Sequence, residues 1–185
     1  MNISVFYSVD VLSSIGIVAS ILMLWLMGRL STTLLRLFVV GCLIGTLWEF
    51  PLHFLGPEYS DNPIYIQLTE FPLLPILQPA LHCLWDGAIF LVGIGLVWRP
   101  TPAPHFSRFR WDELAVLMLW GLGSAIVVEL VGSMGGWIYV ESWWNPALFW
   151  VNSGAITLLP LMIWLVAPMV FYGAVLWLNK SFGSL

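Results

Sequence analysis

Acidic and imidazole side chains recur at four-residue spacing inside apolar parts of this sequence. Glu49 and His53 occur in TLWEFPLHF, and His82 and Asp86 occur in ALHCLWDGAI. Residues four apart lie on one face of an α-helix, so each pair presents a carboxyl group and an imidazole to the same side. A further acid, Glu129, occurs in AIVVELVGSMGG. These residue types carry out general acid–base catalysis or bind metal ions.

Long apolar segments surround these groups and indicate the fold class. Of the 185 residues, 60% are hydrophobic and only 9% are charged, a composition that favours lipid as the solvent. A transmembrane helix needs ~20 mostly apolar residues. We therefore predict one integral membrane domain, residues 1–185, an all-α polytopic bundle of five transmembrane helices. These cover about 9–27, 34–55, 79–98, 114–139 and 147–178, with a bend in the last because it contains Pro160 and Pro168.

The basic residues predict the orientation of the bundle. All six Lys and Arg residues lie between helices 1 and 2, between helices 3 and 4, or after helix 5. By the positive-inside rule these segments are cytoplasmic, which places the N-terminus outside and the C-terminus in the cytoplasm. The expected location is a membrane that the chain crosses several times, the inner membrane in a bacterial cell. The long outer loop, 56–78, is interpreted either as a lid over a site or as a cover for helix ends.

With this topology the polar groups fall into one layer. We estimate depth from a helical rise of ~1.5 Å per residue, which places the layer in the outer half of the membrane. Its members are Glu49, Asp86, Glu129, Asn152, His53 and His82. Gly41 and Gly45 precede Glu49 at four-residue steps, and small residues are typical of the face that packs inward. The layer is therefore either a catalytic site, with Glu49, Asp86 and Glu129 as catalytic residues, or a buried clamp between helices.

An apolar pocket with several carboxyl groups suits acid–base chemistry on an apolar substrate. Low dielectric disfavours the charged form of a carboxyl group, so a proton stays available for donation to an alkene or an epoxide. Tryptophan faces near the layer can stabilise the resulting carbocation. The predicted substrate-binding residues are His53, His82, Asn152, Trp48, Trp85, Trp137 and Trp164. No cofactor and no metal are assigned to the site.

The helix count and the placement of Glu49, Asp86, Glu129, Asn152 and Trp164 resemble the emopamil-binding-protein group of sterol isomerases. The fifth apolar segment, LFWVNSGAITLLPLMIWL, is rich in Trp, Asn and Pro as in that group. The resemblance implies that one carboxylate protonates a sterol double bond, that another group removes a proton, and that a tryptophan lies near the cation.

The segment LWEF, residues 47–50, is similar to the tryptophan–glutamate pair of fungal-type integral membrane terpene cyclases. That resemblance implies that Glu49 is an essential acid. Those proteins generally have more transmembrane spans than this chain can form. Both resemblances imply proton-initiated chemistry on an isoprenoid.

The leading hypothesis is an enzyme that isomerises, cyclises or hydrates an isoprenoid or sterol-like lipid. One alternative is a non-enzymatic membrane subunit or small transporter whose polar layer is structural or binds an ion. Another is a metal-dependent membrane enzyme that uses the same histidines and carboxylates. The expected partners are a lipophilic small molecule and membrane lipids. A homo-oligomer is a further possibility. The net charge of −4 excludes nucleic acid as a partner.

Overall fold

The computed structural model describes residues 5–151 and 154–182 and contains five long helices. They are α1 (Val5–Leu26), α2 (Thr32–Phe54), α3 (Leu77–Val97), α4 (Trp111–Gly132) and α5 (Leu158–Phe182). Each is long and apolar enough to cross a bilayer. The predicted bundle of five transmembrane helices is therefore confirmed. The described residues outside the helices include two small two-stranded sheets.

Glycines bring α2 and α3 together as the most extensively packed helix pair. A Cβ atom on Gly41 would lie 3.0 Å from the Cα of Gly87, and one on Gly87 would lie 2.8 Å from the carbonyl oxygen of Phe38. Helices in lipid use small residues for this close backbone approach. The glycine face predicted to point inward on α2 is thus the face that contacts α3.

Helices α2 to α5 pack in a ring, and α1 packs mainly against α3. In the middle of the ring the aromatic rings of Phe90 and Phe171 are stacked, with centroids 4.3 Å apart. Gly121 in α4 lets Pro168 and Trp164 of α5 approach, since a Cβ there would lie 2.7 Å from Cγ of Pro168. This core fixes the relative positions of the helix halves that surround the candidate site.

Two predicted helix boundaries are wrong. The fourth helix ends at Gly132 rather than at 139, and β2 (Trp137–Tyr139) follows it. The fifth begins at Leu158 rather than at 147, after the antiparallel strands β3 (Ala147–Val151) and β4 (Gly154–Thr157). Paired strands satisfy backbone groups as a helix does, and apolar composition alone does not separate the two. Aromatic and β-branched residues favour the strands.

The later start of α5 also changes the role of its first proline. Pro160 lies in the first turn, where a helix has no intrahelical partner for the backbone N–H, so it does not bend an established helix. Pro168 is interior to α5 as predicted. The side-chain oxygen of Asn145 accepts a hydrogen bond from the backbone N–H of Leu159 at 2.7 Å and so supports the start of α5.

Residues 56–76, 133–151 and 154–157 cover one end of the bundle, and we call these described parts of its two connections the roof. Strand β1 (Tyr65–Gln67) pairs antiparallel with β2, with Tyr65 opposite Tyr139. The hydroxyl of Tyr7 in α1 donates to the carbonyl oxygen of Gly136 at 3.2 Å. The loop predicted over 56–78 therefore lies across the end of the bundle and is tied to its neighbours.

The opposite end is closed by the loop over 98–110. Glu113 is fully buried and accepts hydrogen bonds from the backbone N–H of Phe106 at 3.0 Å and from the hydroxyl of Tyr172 at 2.7 Å. Asn179 donates to the carbonyl oxygen of Phe106 at 2.8 Å. All six basic residues lie at this end, in or beside its connections. That this end faces the cytoplasm stays a prediction.

Candidate active site

A cavity of about 370 Å³ lies beneath the roof, between the roof-side halves of all five helices. Its volume is near the lower end of the range for small-molecule sites, roughly 300–1,000 Å³. Its polar lining residues come from α1 to α4 and from the roof, and we call them together the polar wall; the rest of the lining is mostly apolar. The polar side chains that line it are Asp10, Glu49, His53, Tyr65, Gln78, His82, Asp86, Glu129 and Tyr139.

The cavity brings together every described residue that the sequence predicted for the site. The carboxylic acids are Glu49, Asp86 and Glu129, the imidazoles are His53 and His82, and the indoles are Trp48, Trp85, Trp137 and Trp164. Asn152 lies outside the described residues. The described members of the predicted layer therefore line one cavity, and the roles assigned to them stay predictions.

His82 of α3 links two other helices through its ring nitrogens. Nδ1 lies 3.1 Å from Oε2 of Glu49 in α2, and Nε2 lies 3.5 Å from Oδ2 of Asp10 in α1. Trp85, one turn along α3, donates from its indole nitrogen to Oδ1 of Asp10 at 2.9 Å. A hydrogen on Nδ1 of His82 is donated to Glu49, which fixes the orientation of that carboxylate.

Asp10 is the acidic residue of the described cavity lining that the sequence reasoning missed, and Gln78, Tyr65 and Tyr139 were missed as well. Asp10 lies within the first apolar segment, in VFYSVDVLSS, and is an ionisable residue inside a span like those that were selected. The general rule that such residues face the bundle interior would have identified it. Its position near the start of α1 made it resemble a polar residue at the membrane surface.

Asp86 is positioned by a glycine on the neighbouring helix. The side chain is only 4% exposed, and a Cβ on Gly45 of α2 would collide with its carboxyl group. The indole nitrogen of Trp48 faces the carboxyl group of Asp86 without strict hydrogen-bond geometry, and neither this nitrogen nor Oδ2 of Asp86 has another partner within the described part of the chain. A buried polar atom without a partner is costly, so both atoms are candidates to contact a ligand.

Glu129 occupies the wall opposite α2, near the end of α4. It is 8% exposed, and the indole of Trp137 approaches its carboxyl group. Gly132 makes room for that indole, because a Cβ at this position would lie 2.7 Å from its Cε2 atom. The strand that replaced the end of the predicted fourth helix therefore places Trp137 over Glu129.

His53 lies in the last turn of α2, where the cavity meets the roof. Its ring is 4% exposed and lies 5.0 Å from the ring centroid of Tyr59. Nε2 makes no hydrogen bond to any described residue. This nitrogen is therefore a further buried polar atom in the cavity lining that lacks a hydrogen-bond partner among the described residues.

Two phenols of the roof close the cavity from above. The rings of Tyr65 and Tyr139 are 6.1 Å apart and belong to the paired strands β1 and β2. Burial raises the pKa of Tyr65 to about 12 and raises the pKa of Tyr139 well above its usual value. Both hydroxyl groups therefore keep their protons near neutral pH and can donate hydrogen bonds.

Aromatic and branched apolar side chains form the deep part of the cavity. The rings of Trp48 and Trp164 lie 6.0 Å apart, and Trp164 lies 5.5 Å from Phe90. Ile89 and Ile163 complete this region. An apolar ligand that reaches the polar wall would therefore lie against indole faces.

The cavity contains acidic groups without permanent cations. None of its lining residues is Lys or Arg, and four of them are Asp or Glu. Burial of an ionised carboxyl group is costly unless the group is paired, and His82 is the partner of Glu49 and Asp10 here. Within the described residues, no set of three His, Cys, Asp or Glu side chains is arranged to hold a metal ion.

Comparison with known proteins gives no match from which a function could be inferred. No protein-family model, curated protein or solved structure matches the chain. The resemblances to sterol isomerases and to membrane terpene cyclases therefore stay predictions, and the case for a function depends on the cavity itself.

Proposed function

We propose that this protein is a membrane enzyme that carries out acid–base chemistry on an isoprenoid or sterol-like lipid. The observation that carries the proposal is the convergence of Glu49, Asp86 and Glu129 on one largely apolar cavity. Carboxyl groups in such surroundings exchange protons at neutral pH more readily than carboxyl groups in water. The reaction is an isomerisation, a cyclisation or a hydration, all of which can begin with proton transfer to carbon or to an epoxide oxygen.

The chemistry needs one acid and one base. A protonated carboxyl group gives its proton to one carbon of a double bond, and the other carbon becomes a cation. A carboxylate or imidazole then removes a proton from a neighbouring carbon, and the electron pair of that C–H bond forms the new double bond. The substrate has gained and lost one proton, so no oxidant or reductant is needed. In a hydration, water attacks the cation and loses a proton instead.

The contacts of the three acids suggest how these roles are divided. Asp86 has an oxygen without a hydrogen-bond donor and is placed to hold and donate a proton. Glu49 lies 3.1 Å from Nδ1 of His82, and a hydrogen bond donated by this imidazole stabilises its carboxylate and suits it to act as the base. Glu129 faces the same space beneath Trp137 and is the alternative acid.

Indole faces around the cavity support a cationic intermediate. Trp48 and Trp164 line the space below the acids, and a cation over an indole face is stabilised by roughly 0.5–2 kcal/mol, the larger value applying when water is excluded. The apolar surroundings also keep water from capturing the cation before a proton is removed.

Turnover in deuterium oxide tests the proposal. The purified protein, reconstituted in lipid nanodiscs, is incubated with sterols, polyprenols, carotenoids and terpenoid epoxides. We expect at least one of these to yield an isomer, cyclised product or hydrate, detected by mass spectrometry. Deuterium from the solvent should appear on carbon wherever carbon is the proton acceptor. Asp86→Asn and Glu129→Gln should lower the rate by about 10²–10⁴-fold, the usual contribution of general acid–base catalysis.

Glu70→Gln is the matched control, because Glu70 is an exposed acid of the roof that does not line the cavity. It should leave the rate unchanged. Full activity in both Glu49→Gln and Glu129→Gln would refute the assignment, as would the absence of conversion across all the substrate classes.

A second candidate function is favoured by the contact of His82 with both Glu49 and Asp10. This arrangement joins α1, α2 and α3 and suits a structural or ion-binding polar layer in a non-enzymatic subunit or small transporter. In that case Glu49→Gln should lower the melting temperature strongly, no lipid should co-purify, and no substrate should be converted.

A further inference from the structure

Helices α3 and α4 contact each other near the middle of their lengths. The indole nitrogen of Trp120 in α4 donates to the carbonyl oxygen of Ile89 in α3 at 2.8 Å. One turn further from the roof, Gly93 lets Leu117 approach, since a Cβ there would lie 3.0 Å from Cδ2 of Leu117. These contacts form the lower edge of the space between the two helices.

Above that edge three side chains both line the cavity and face outward. Trp85 of α3 is 37% exposed, and Val127 and Val131 of α4 are 58% and 49% exposed. Exposed side chains that also line a cavity are expected at an opening in its wall. We call this opening, bordered by Trp85, Val127 and Val131, the window. In a bilayer it faces lipid tails, because it lies within the membrane-spanning parts of α3 and α4.

The roof blocks a route from the aqueous phase at the same end. Backbone hydrogen bonds join its two connections, from the N–H of Leu68 to the carbonyl oxygen of Gly136 at 2.8 Å and from the N–H of Val140 to that of Ile64 at 2.8 Å. The strand pair between them places Tyr65 and Tyr139 over the cavity. The window is thus the open approach to the polar wall among the described residues.

The polar wall defines the kind of head group that can reach it. His53 and Asp86 are each 4% exposed and each has a ring or carboxyl atom without a hydrogen-bond partner in the described chain. These atoms favour a ligand with a polar group. Four acids without Lys or Arg in the lining disfavour a phosphate, diphosphate or carboxylate head group, because its charge would be buried without a counter-ion.

We infer that the window admits a lipid with an uncharged polar group sideways from the bilayer, and that anionic lipids of the same chain length are excluded. This inference rests on the proposed function and specifies its substrate class. The polar group lies at Asp86 and His53, and the hydrocarbon lies against the indoles or extends through the window. Since the cavity holds only about 370 Å³, a long chain remains partly in the membrane.

Photolabelling with two matched probes tests the inference without requiring turnover. One probe is a long-chain alcohol with a diazirine in the chain, and the other is the fatty acid with the same chain and diazirine position. The full-length protein is labelled in phosphatidylcholine nanodiscs at neutral pH, and labelled peptides are identified by mass spectrometry. We expect the alcohol to label cavity-lining peptides about tenfold or more above the acid, because burial of the carboxylate is unfavourable.

Variants of the window show the route of entry. Val127→Trp and Val131→Trp each fill the window and should slow labelling of the cavity several-fold. Leu119→Trp is the matched control on α4, since Leu119 is 73% exposed and does not line the cavity. Cavity-lining peptides of Leu119→Trp should be labelled at the same rate as those of the unsubstituted protein. Two separate window variants keep the test decisive if one of them does not fold.

Equal labelling by alcohol and acid, or unchanged labelling in both window variants, would overturn the inference. Its failure is distinct from failure of the proposed function. Window-dependent labelling without conversion of any substrate would leave a lipid-binding protein that is not an enzyme. Substrate conversion that depends on Glu129 but is unaffected by the window variants would support the proposed enzymatic function and refute entry through the window.

Discussion

Nδ1 of His82 lies 3.1 Å from Oε2 of Glu49, and this contact joins α3 to α2 within the polar wall of the cavity. The opposite nitrogen of the same ring lies 3.5 Å from Oδ2 of Asp10 in α1. One imidazole therefore connects three helices and orients a carboxylate of the candidate site. Its replacement is expected to affect both the stability of the fold and the chemistry.

Replacement of His82 by leucine leaves Glu49 and Asp10 without their shared partner. We expect a loss of about 1–3 kcal/mol in the free energy of unfolding, the usual cost of an unsatisfied buried group, and a larger proportional loss of turnover. Thermal unfolding in detergent and the lipid conversion assay measure the two effects. Asp10→Asn is the milder comparison, because its amide oxygen can still accept from Trp85. An unchanged melting temperature in His82→Leu would contradict the linking role.

Gly45→Ala should disturb the site without adding or removing a polar group. The new methyl group would collide with the carboxyl group of Asp86, and overpacking of this kind costs about 1–3 kcal/mol. We expect a lower melting temperature and reduced turnover because Asp86 is displaced. Gly95→Ala is the matched control, since a Cβ there meets nothing within 4 Å. Loss of activity of equal size in the two variants would show that Gly45 has no special relation to Asp86.

Asn145→Ala should destabilise the junction between the roof and α5. The side chain is fully buried, donates to the carbonyl oxygen of Val140 at 3.1 Å and accepts from the N–H of Leu159 at 2.7 Å. Loss of both bonds is expected to lower the free energy of unfolding by about 1–3 kcal/mol. The exposed Asn62 provides the control variant, Asn62→Ala. Chemical denaturation in detergent should show the difference, and equal stability of the two variants would contradict it.

The raised pKa of Tyr65 predicts how the stability of the fold changes at alkaline pH. Its pKa is raised by burial from 10.0 to about 12, so the folded state favours the protonated phenol. The resulting stabilisation is complete below pH 10 and is lost as the pH rises towards 12. We expect the melting temperature to fall over this interval, and to fall less in Tyr65→Phe than in the control Tyr59→Phe, since Tyr59 is 50% exposed. Identical pH profiles for the two variants would refute this role for Tyr65.

The helices and most of the site residues could be predicted because lipid imposes simple constraints. An ionisable residue in hydrocarbon is costly unless it faces the bundle interior, so Glu49, Asp86 and Glu129 were identifiable from their positions in apolar segments. Four-residue spacing with Gly41 and Gly45 then assigned the inward face of α2. Asp10 follows from the same reasoning but was missed, because a residue near the end of a span resembles one at the membrane surface.

The strands could not be predicted from hydropathy. Residues 147–151 and 154–157 are as apolar as a helix, and these two strands pair with each other, which hydropathy does not distinguish from a helix. The partner of β2 is β1, which lies about seventy residues earlier in the chain. This long-range pair belongs to the roof and places Trp137 over Glu129.

The sequence by itself determined that the chain crosses a membrane five times and that acids and imidazoles lie within its spans, because composition and helical periodicity are local properties. Only the tertiary structure decided that His82 contacts both Glu49 and Asp10, that the roof closes one end, and that a window opens between α3 and α4. These features depend on the approach of residues far apart in the chain. That approach is set by which glycines and side chains fit together across helices, which no local pattern specifies.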